Sequence, residues 1–315
     1  MRVLTGIQPS ADPHLGNYFG AMSPVLNLAE KNPETFIFIA DWHAMTTVES
    51  AEILKKNSRN LILDYLALGL NFQKTIFYRQ SQIPEIPALA WILATVAPMG
   101  LLERAHSFKD KTARGLESTV GLFFYPVLMA ADILLFDAEI VPVGRDQKQH
   151  LEIARDLAAK FNHKFGETFK LPAPQISENV AIVPGIDGEK MSKSYGNFIE
   201  IFADEKTVFE KVAKIKTDSA GISEPKNRDS ILVKIAELFL DENEIEKFCR
   251  GGVGNSDFKK NLAEKICEKF APAKKRRDEF AKNSDDIFEF LKRGEKKARE
   301  IAAEKFAEIR RKVGV

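Results

Sequence analysis

The chain reads VLTGIQPSADPHLGNYFGAM over residues 3–22. Residues 3–7 form an apolar run of strand length, and Gln8, Pro9 and Ser10 then favour a turn. Beyond Gly16, apolar residues recur at helical spacing at positions 18, 19, 22, 25, 26 and 28. The stretch therefore predicts a strand, a short loop and a helix, which is the building unit of an α/β fold.

The loop of this unit has residues that suit anion binding. Backbone N–H groups at the start of a helix lack partners and the helix dipole favours negative charge there, so His14 and Asn17 would flank an anion site. Gly16 would let a nucleotide approach where a side chain would block it. An ordinary strand–helix turn with a glycine for packing is an equally good interpretation of these residues alone.

A second candidate for anion binding is the sequence KMSKS at residues 190–194. Lys190 and Lys193 are compact cations on flexible stems, three positions apart, which suits a mobile loop that contacts a polyphosphate. A solvated basic turn explains an isolated pair of this kind more simply. The presence of two such elements in one chain favours the phosphate interpretation.

Further apolar runs predict a parallel sheet. The runs of strand length are residues 35–40, 75–78, 140–143 and 180–183, and helical patterns alternate with them at 51–69, 86–103 and 147–162. The alternation predicts a doubly wound α/β fold, in which functional groups gather at the carboxyl ends of the strands. Asp41 and His43 follow one run and residues 144–147 follow another, so both sets should meet in one crevice. After residue 197, charged amphipathic segments predict an all-helical second domain.

Length and composition predict a soluble, cytosolic protein of two domains, or of one large domain with an appendage. At 315 residues the chain exceeds what one core usually supports, and 44% apolar and 29% charged residues are ordinary globular values. We find no secretion signal and no run of about 18 apolar residues that could span a bilayer, so no membrane partner is expected. Cys249 and Cys267 lack neighbouring Cys or His, which excludes a zinc ribbon and indicates reduced packing thiols.

Positive charge accumulates at the C-terminal end. Residues 256–315 contain 18 Lys and Arg against 12 Asp and Glu, although the whole chain carries a net charge of +1. Residues 274–277 (KKRR) form the densest cluster, which could neutralise phosphates of a nucleic acid. A helical face with i,i+4 ion pairs is an equally good interpretation, because acidic residues are interleaved.

Together these motifs resemble those of the class I aminoacyl-tRNA synthetases, and within that class the bacterial-type tryptophanyl-tRNA synthetases. The stretches that carry the resemblance are residues 5–10 (TGIQPS), 16–18 (GNY), 41–44 (DWHA), 125–134 (YPVLMAADIL), 141–150 (VPVGRDQKQH) and 190–194. The chain departs from the family at residues 14–17, which are HLGN where many members have Thr-Ile-Gly-Asn. It also has Leu4 where a Phe often contacts the indole ring.

The resemblance implies a fold, a reaction and partners. It implies a Rossmann-like catalytic domain at residues 1–200 with a helical insertion at about 86–135, followed by a helical domain at 201–315 that binds the tRNA anticodon. The implied enzyme activates L-tryptophan with ATP to tryptophanyl-adenylate and pyrophosphate, then transfers tryptophan to the 3′-terminal adenosine of tRNA(Trp). Mg²⁺ would be carried on the phosphates without protein ligands. A symmetric homodimer through the insertion is also implied.

Recognition of tryptophan can be assigned to particular residues. The indole N–H is a donor, so a selective pocket needs a buried acceptor, and Asp132 lies three positions after Met129 on the same predicted helical face. A substrate without that donor would leave the carboxylate unpaired at a cost of about 1 to 3 kcal/mol, which would reject Phe. Taken alone, Asp132 could equally be a surface or helix-capping carboxylate. By resemblance, the other tryptophan-binding residues are Leu4, His43, Tyr125, Val141, Val143 and Gln147.

The resemblance also implies a set of ATP-binding residues. They are Gln8, Pro9, Ser10, His14, Gly16, Asn17, Gly144, Arg145, Asp146, Ile182, Lys190, Met191, Ser192, Lys193 and Ser194. The resemblance implies four catalytic residues, which are Lys190, Lys193, Lys111 and Asn17. The three lysines would stabilise charge on the leaving pyrophosphate. No protein nucleophile is required.

Two other functions compete with tryptophan charging. A tyrosine-charging relative usually has Gly-Ser-Asp-Gln where this chain has GRDQ at residues 144–147, and it usually needs a further tyrosine near the first strand. A non-catalytic paralogue that binds tRNA or tryptophan would be favoured by a degenerate lysine loop or by loss of Gly16, and neither is seen.

Overall fold

The computed structural model describes residues 1–9, 12–48, 50–104, 119–144, 147–176, 183–282 and 284–315. Within these ranges, five parallel strands form one sheet in the order β3-β2-β1-β4-β5. The strands are β1 (Val3–Ile7), β2 (Thr35–Ile39), β3 (Thr75–Arg79), β4 (Ile140–Val143) and β5 (Ala173–Ile176). Val3 lies opposite both Thr35 of β2 and Ile140 of β4, so the strand order reverses at β1. The predicted doubly wound α/β fold is confirmed.

Strand β2 is buried along its whole length, and β3 is buried except at its last residue. Such continuous apolar runs are typical of parallel strands covered on both faces, which explains why the sequence predicted them. The predicted strand at 180–183 lies outside the described residues except for Val183. Strand β5 was not predicted, because its sequence APQI contains a proline and a glutamine. As an edge strand, β5 tolerates Pro174.

Helices connect the strands, and the elements that follow β5 in the described part of the chain are also helical. In order they are α1 (Leu15–Asn17), α2 (Ser23–Lys31), α3 (Asp41–Ala44), α4 (Ala51–Ala67), α5 (Glu85–Ala94), α6 (Met99–Glu103), α7 (Val120–Leu135), α8 (Lys148–Phe165), α9 (Glu205–Ala213), α10 (Ile231–Ala236), α11 (Glu242–Arg250), α12 (Asn255–Lys282) and α13 (Ser284–Val313). A π turn at Tyr18–Met22 joins α1 to α2. The predicted helix at 86–103 is divided into α5 and α6, because Pro98 is the N-cap of α6 and disfavours a helical residue before it.

The buried apolar residues form three cores, and two of them contain residues of the predicted site. The first lies between the sheet and helices α5, α7 and α8, and includes Phe36, Tyr78 and Leu134. The second lies among the C-terminal helices and also includes Leu15 and Met191 from the two motifs identified in the sequence. Each motif is thus fixed by an apolar side chain that packs against the helical part of the molecule.

The last helix, α13, returns to the catalytic sheet. Ala298 and Ala302 belong to the core around the sheet. At Gly294 the helix lies so close to β3 that an added Cβ would be 2.0 Å from the carbonyl oxygen of Phe77, so any larger residue would push the helix away from the strand. Helix α13 therefore covers the edge strand β3. This contact joins part of residues 201–315 to the sheet, which the division drawn from the sequence did not include.

The basic cluster at residues 274–277 is largely engaged within the protein. Arg277 donates a hydrogen bond to the buried carboxylate of Asp64 at 2.6 Å. Lys274 and Arg276 donate to backbone carbonyls at 2.8 Å. Three of the four residues of this cluster thus contact other parts of the protein. Neither interpretation from the sequence predicted these contacts. Among the described helices, none has the length and apolar content required to cross a bilayer.

Candidate active site

A buried carboxylate lies on helix α7 behind the carboxyl ends of β2 and β3. Asp132 is fully buried. The side-chain amide of Gln80 donates to both of its oxygens, at 2.8 and 2.9 Å, and His43 Nε2 lies 2.8 Å from Oδ2. Burial raises the pKa of Asp132, while the hydrogen bonds from His43 and Gln80 lower it. The site therefore holds an acid whose burial is compensated by donors from two neighbouring strand ends.

Gln80 is a residue of this site that the sequence analysis missed. It is fully buried in a 3₁₀ turn (Gln80–Gln82) directly after β3. Its Oε1 accepts from the backbone N–H groups of Trp42 and His43, at 3.2 and 3.4 Å. One amide thus connects Asp132 to the turn that presents His43. The available signal was its position, because Gln80 follows a predicted strand as Asp41 and His43 do.

A second pair of side chains joins the same two strand ends. Ser81 donates to Asp41 through its backbone N–H, at 2.9 Å to Oδ1, and through its hydroxyl, at 2.5 Å to Oδ2. Asp41 also accepts from the N–H of Trp42 at 3.1 Å. The ends of β2 and β3 are therefore held together by hydrogen bonds that do not depend on Asp132.

The remaining residues predicted to bind tryptophan lie in different surroundings. The hydroxyl of Tyr125 lies 2.5 Å from His150 Nε2, and its ring meets the His43 ring edge-on with centroids 6.1 Å apart. Met129 is half-buried against the core of the sheet, and Gln147 is half-buried at the start of α8. Leu4 and Val141 are buried in that core. The side chain of Val143 lies outside the described part of the structure.

The turn at residues 14–17 explains the histidine that departs from the family pattern. His14 is the N-cap of α1: its Nδ1 accepts from the N–H of Asn17 at 3.2 Å, and Asn17 Oδ1 accepts from the N–H of His14 at 3.1 Å. Burial and the nearby ammonium of Lys193 lower the pKa of His14 to about 4. The imidazole is therefore neutral at pH 7. Because Nδ1 accepts, the ring proton lies on Nε2.

The two sequence motifs are in direct contact. The N–H of Gly16 donates to the sulfur of Met191 at 3.4 Å, across 175 positions of sequence. A Cβ on Gly16 would lie 3.0 Å from the His14 ring and 3.4 Å from the Cβ of Met191, so this position needs glycine for close packing. The middle of the lysine loop therefore packs directly on the turn that begins α1.

Asn197 fixes the shape of the lysine loop. This buried side chain accepts from the N–H of Ser192 at 2.8 Å. Its amide donates to Asp187 at 2.8 Å and to the carbonyl of Lys190 at 3.3 Å. The backbone on both sides of Met191 is therefore held by one asparagine, which the sequence analysis did not select.

The two lysines of the loop occupy different environments. Lys190 is exposed, and Lys193 is half-buried at the start of a 3₁₀ turn (Lys193–Tyr195). Burial lowers the pKa of the Lys193 ammonium, and the carboxylates of Asp12, Asp64 and Glu200 oppose that shift. Lys193 therefore stands between His14 and acidic groups, where an entering anion would compete with those carboxylates for it.

The other predicted ATP-site residues lie at the ends of two neighbouring strands or outside the described ranges. Gln8 and Pro9 follow β1, and Gly144 follows β4, which pairs with β1 at the point where strand order reverses. The predicted residues that the structure does not describe are Ser10, Lys111, Arg145, Asp146 and Ile182, together with the side chain of Ser194. Within the described ranges, no group of three or more His, Cys, Asp or Glu could hold a metal ion.

Comparison with known proteins agrees with this arrangement. The family model for class I tRNA synthetases (W and Y) matches residues 1–286. The tryptophan–tRNA ligase of Fusobacterium nucleatum is 50% identical over 319 aligned residues, which cover all of this chain and 98% of that protein. The tryptophan–tRNA ligase of Campylobacter jejuni is 49% identical over the full length of both chains. A crystal structure of the Campylobacter jejuni tryptophanyl-tRNA synthetase, complexed with ADP and tryptophan, matches with a TM-score of 0.94 at 49% identity and full coverage of both chains. The chain belongs to the class I tRNA synthetases of the tryptophan and tyrosine family.

Proposed function

We propose that this chain is a tryptophan–tRNA ligase. It activates L-tryptophan with ATP to tryptophanyl-adenylate and pyrophosphate, and then transfers tryptophan to the 3′-terminal adenosine of tRNA(Trp). The observation that carries this proposal is identity of 49 to 50% to tryptophan–tRNA ligases over essentially the full length of both chains. The related structure with ADP and tryptophan bound supports the choice of both substrates.

Asp132 is the proposed acceptor for the indole N–H. Its Oδ2 lies within hydrogen-bond distance of two side chains, His43 and Gln80. Within the described residues, its Oδ1 accepts from the side chain of Gln80. A carboxylate oxygen has a further lone pair, so Oδ1 can accept from the indole. Met129 and Tyr125 supply apolar surface beside it. A substrate with no donor at this position leaves the acid under-bonded, which selects against phenylalanine.

The phosphates of ATP are proposed to lie between the α1 turn and the lysine loop. The contact between Gly16 and Met191 brings these two elements side by side, which supports one phosphate site shared by both. Lys190 and Lys193 stabilise negative charge on the leaving pyrophosphate, and Asn17 contributes from the α1 turn. Lys111, Asp146 and the other predicted residues outside the described ranges keep the roles that the family resemblance implies.

The reaction needs alignment and charge stabilisation from the protein rather than a covalent intermediate. In the first step a carboxylate oxygen of tryptophan attacks the α-phosphorus, and the bond to pyrophosphate breaks. In the second step a ribose hydroxyl of the tRNA attacks the acyl carbon, and AMP leaves. Mg²⁺ enters with ATP as part of the substrate, carried on the phosphates.

The partner and domain assignments complete the proposal. Residues 1–200 form the catalytic domain, and residues 201–315 form the helical domain that binds the tRNA anticodon. A homodimer forms through the insertion at about 86–135, where Trp91, Met99 and Val120 expose 73%, 63% and 81% of their surface. Exposed apolar side chains clustered in one segment favour association of two copies. The enzyme acts in the cytoplasm.

Exchange of radiolabelled pyrophosphate into ATP, tested with each standard amino acid in turn, decides this function. We expect exchange with tryptophan and none with phenylalanine. Faster exchange with tyrosine would assign the chain to the tyrosine branch of the family. Binding of tryptophan without exchange by any amino acid would identify a non-catalytic relative.

A further inference from the structure

Gln80 fixes the carboxylate that is proposed to select tryptophan. Its amide nitrogen contacts both oxygens of Asp132, and its amide oxygen accepts from two backbone N–H groups at the end of β2. A buried amide with both ends engaged cannot rotate without losing hydrogen bonds on each side. The direction in which Asp132 presents its lone pairs is therefore set by where the turn at residues 80–82 lies.

Helix α13 fixes the position of that turn by contacting the residues before and after Gln80. Before Gln80, Arg79 forms a two-point ion pair with the buried carboxylate of Glu295, at 2.6 and 3.3 Å. After Gln80, Arg299 donates to the carbonyl and side-chain oxygens of Gln82, at 2.5 and 3.0 Å. Two-point guanidinium contacts fix orientation as well as distance. Helix α13 thus holds Arg79 and Gln82, which lie on either side of the residue that contacts Asp132.

We propose that Gln80 is a positioning residue for indole recognition, and that α13 fixes Gln80 through Arg79 and Gln82. This inference rests on the proposed tryptophan-activating function. Its physical basis is preorganisation: an acceptor already aimed at the substrate donor requires no rearrangement when the substrate binds. The C-terminal helix therefore contributes to amino-acid selection from outside the pocket.

The direct test replaces Gln80 and asks whether recognition of the indole N–H is lost selectively. We compare the unchanged enzyme with Gln80→Met by tryptophan-dependent pyrophosphate exchange, and we measure inhibition by the tryptophan analogue in which sulfur replaces the indole N–H. We expect the KM for tryptophan to rise about 10- to 100-fold. Inhibition by the sulfur analogue and the KM for ATP should change by less than about twofold, because neither ligand donates to Asp132. Equal weakening of tryptophan and the analogue indicates general disruption and overturns the role of Gln80.

The contribution of α13 is tested with exposed arginines, whose replacement leaves the core intact. Arg299→Ala should raise the KM for tryptophan about threefold and leave inhibition by the sulfur analogue unchanged. Arg293→Ala is the matched control, because Arg293 is an exposed arginine of the same helix. It donates to the carbonyl of Phe72, which precedes the start of β3 and so lies away from the Gln80 turn. Equal effects of the two substitutions overturn the α13 contribution, even if Gln80→Met does not fold.

The same measurements separate this inference from the proposed function. If the unchanged enzyme shows no tryptophan-dependent exchange, the proposed function fails and the inference fails with it. If the unchanged enzyme is active and Gln80→Met keeps its preference for tryptophan over the sulfur analogue, only the inference fails.

Discussion

The proposed tryptophan side and the proposed phosphate side of the site are built in different ways. Asp132 is fully buried and held by side chains from two strand ends. The lysine loop is held at its backbone by Asn197 and by the buried side chain of Met191, whereas Lys190 is exposed. One side thus fixes the functional group itself, and the other fixes the backbone and leaves a charged side chain at the surface.

This difference follows from what each side has to recognise. An indole N–H is a single directional donor, so selecting it requires one acceptor at a fixed position. A triphosphate changes its charge distribution as pyrophosphate leaves, so the groups that stabilise it must be able to reach the moving charge. Replacements on the phosphate side should therefore lower the rate of activation, and replacements on the tryptophan side should weaken binding of tryptophan.

The largest effect is expected from Lys193→Ala. Loss of this ammonium removes stabilisation of the leaving pyrophosphate, so kcat for pyrophosphate exchange should fall about 100- to 1000-fold, with the KM for tryptophan within about twofold. Lys206→Ala, an exposed lysine on α9, is the control and should leave both constants unchanged. Equal losses in rate and in tryptophan affinity would refute the assignment of Lys193 to the phosphate side.

The next effect is expected from Asp132→Asn. The replacement keeps the shape, but an NH₂ group would face donors on Gln80 and His43, and the charged acceptor for the indole is lost. The KM for tryptophan should rise about 100-fold, with the KM for ATP nearly unchanged. Asp137→Asn serves as the control, since Asp137 follows the same helix and pairs with Lys305 at 3.0 Å. A rise of the same size in the KM for ATP would show that Asp132 does not act on tryptophan selectively, and would contradict the division of the site into two sides.

A smaller effect is expected from Asn197→Ala. The substitution removes the hydrogen bonds that hold Ser192 and the carbonyl of Lys190, so the loop should lose its fixed backbone. The KM for ATP should rise about tenfold while the KM for tryptophan is unchanged, as steady-state pyrophosphate exchange can measure. Asn227→Ala, at an exposed turn of the helical part, is the control. An unchanged KM for ATP would show that the loop does not depend on this asparagine.

The smallest effect is a pH dependence of stability at the α1 turn. The pKa of His14 is lowered from 6.5 to about 4 by burial. Between these values the unfolded chain binds more protons than the folded chain, so this contribution is present above pH 6.5 and is lost as the pH falls toward 4. Asparagine also caps helices and does not titrate, so His14→Asn is the comparison.

Urea unfolding of both proteins at pH 7 and pH 4.5 measures this contribution. The free energy of unfolding of the unchanged protein, relative to the His14→Asn variant, should decrease by about 1 to 2 kcal/mol at the lower pH, after allowance for solvent screening. A difference between the two proteins that does not change with pH would mean that His14 keeps an ordinary pKa in the folded state.

Much of the fold could be predicted because its signals are local. Strands β1 to β4 are short apolar runs, and the segment that follows β1 shows helical spacing. Strand β5 was missed because a proline weakens the strand pattern, which only its edge position makes acceptable. The break between α5 and α6 was missed because the apolar spacing continues through Pro98. In these cases the local pattern and the tertiary structure favour different assignments.

Individual residues of the site could be predicted to different extents. Asp132 could be selected through the family resemblance and the chemistry of the indole, although taken alone it could have been a surface or helix-capping carboxylate. Gln80 could not be distinguished from other polar residues, because its role comes from contacts with Asp132 and with the end of β2, 52 and 38 positions away. The basic cluster at 274–277 had two equal interpretations from the sequence, and neither predicted the contact of Arg277 with Asp64, 213 positions away.

The sequence by itself determined the alternation of strands and helices, the lysine loop and the α1 turn, because each depends on residues close together in the chain. The candidate acid was selected through the family resemblance. Only the tertiary structure decided that Gly16 meets Met191, that Gln80 orients Asp132, and that α13 covers β3. The physical reason is that packing and hydrogen bonding depend on distance in space. The fold brings together residues that no pattern along the chain connects.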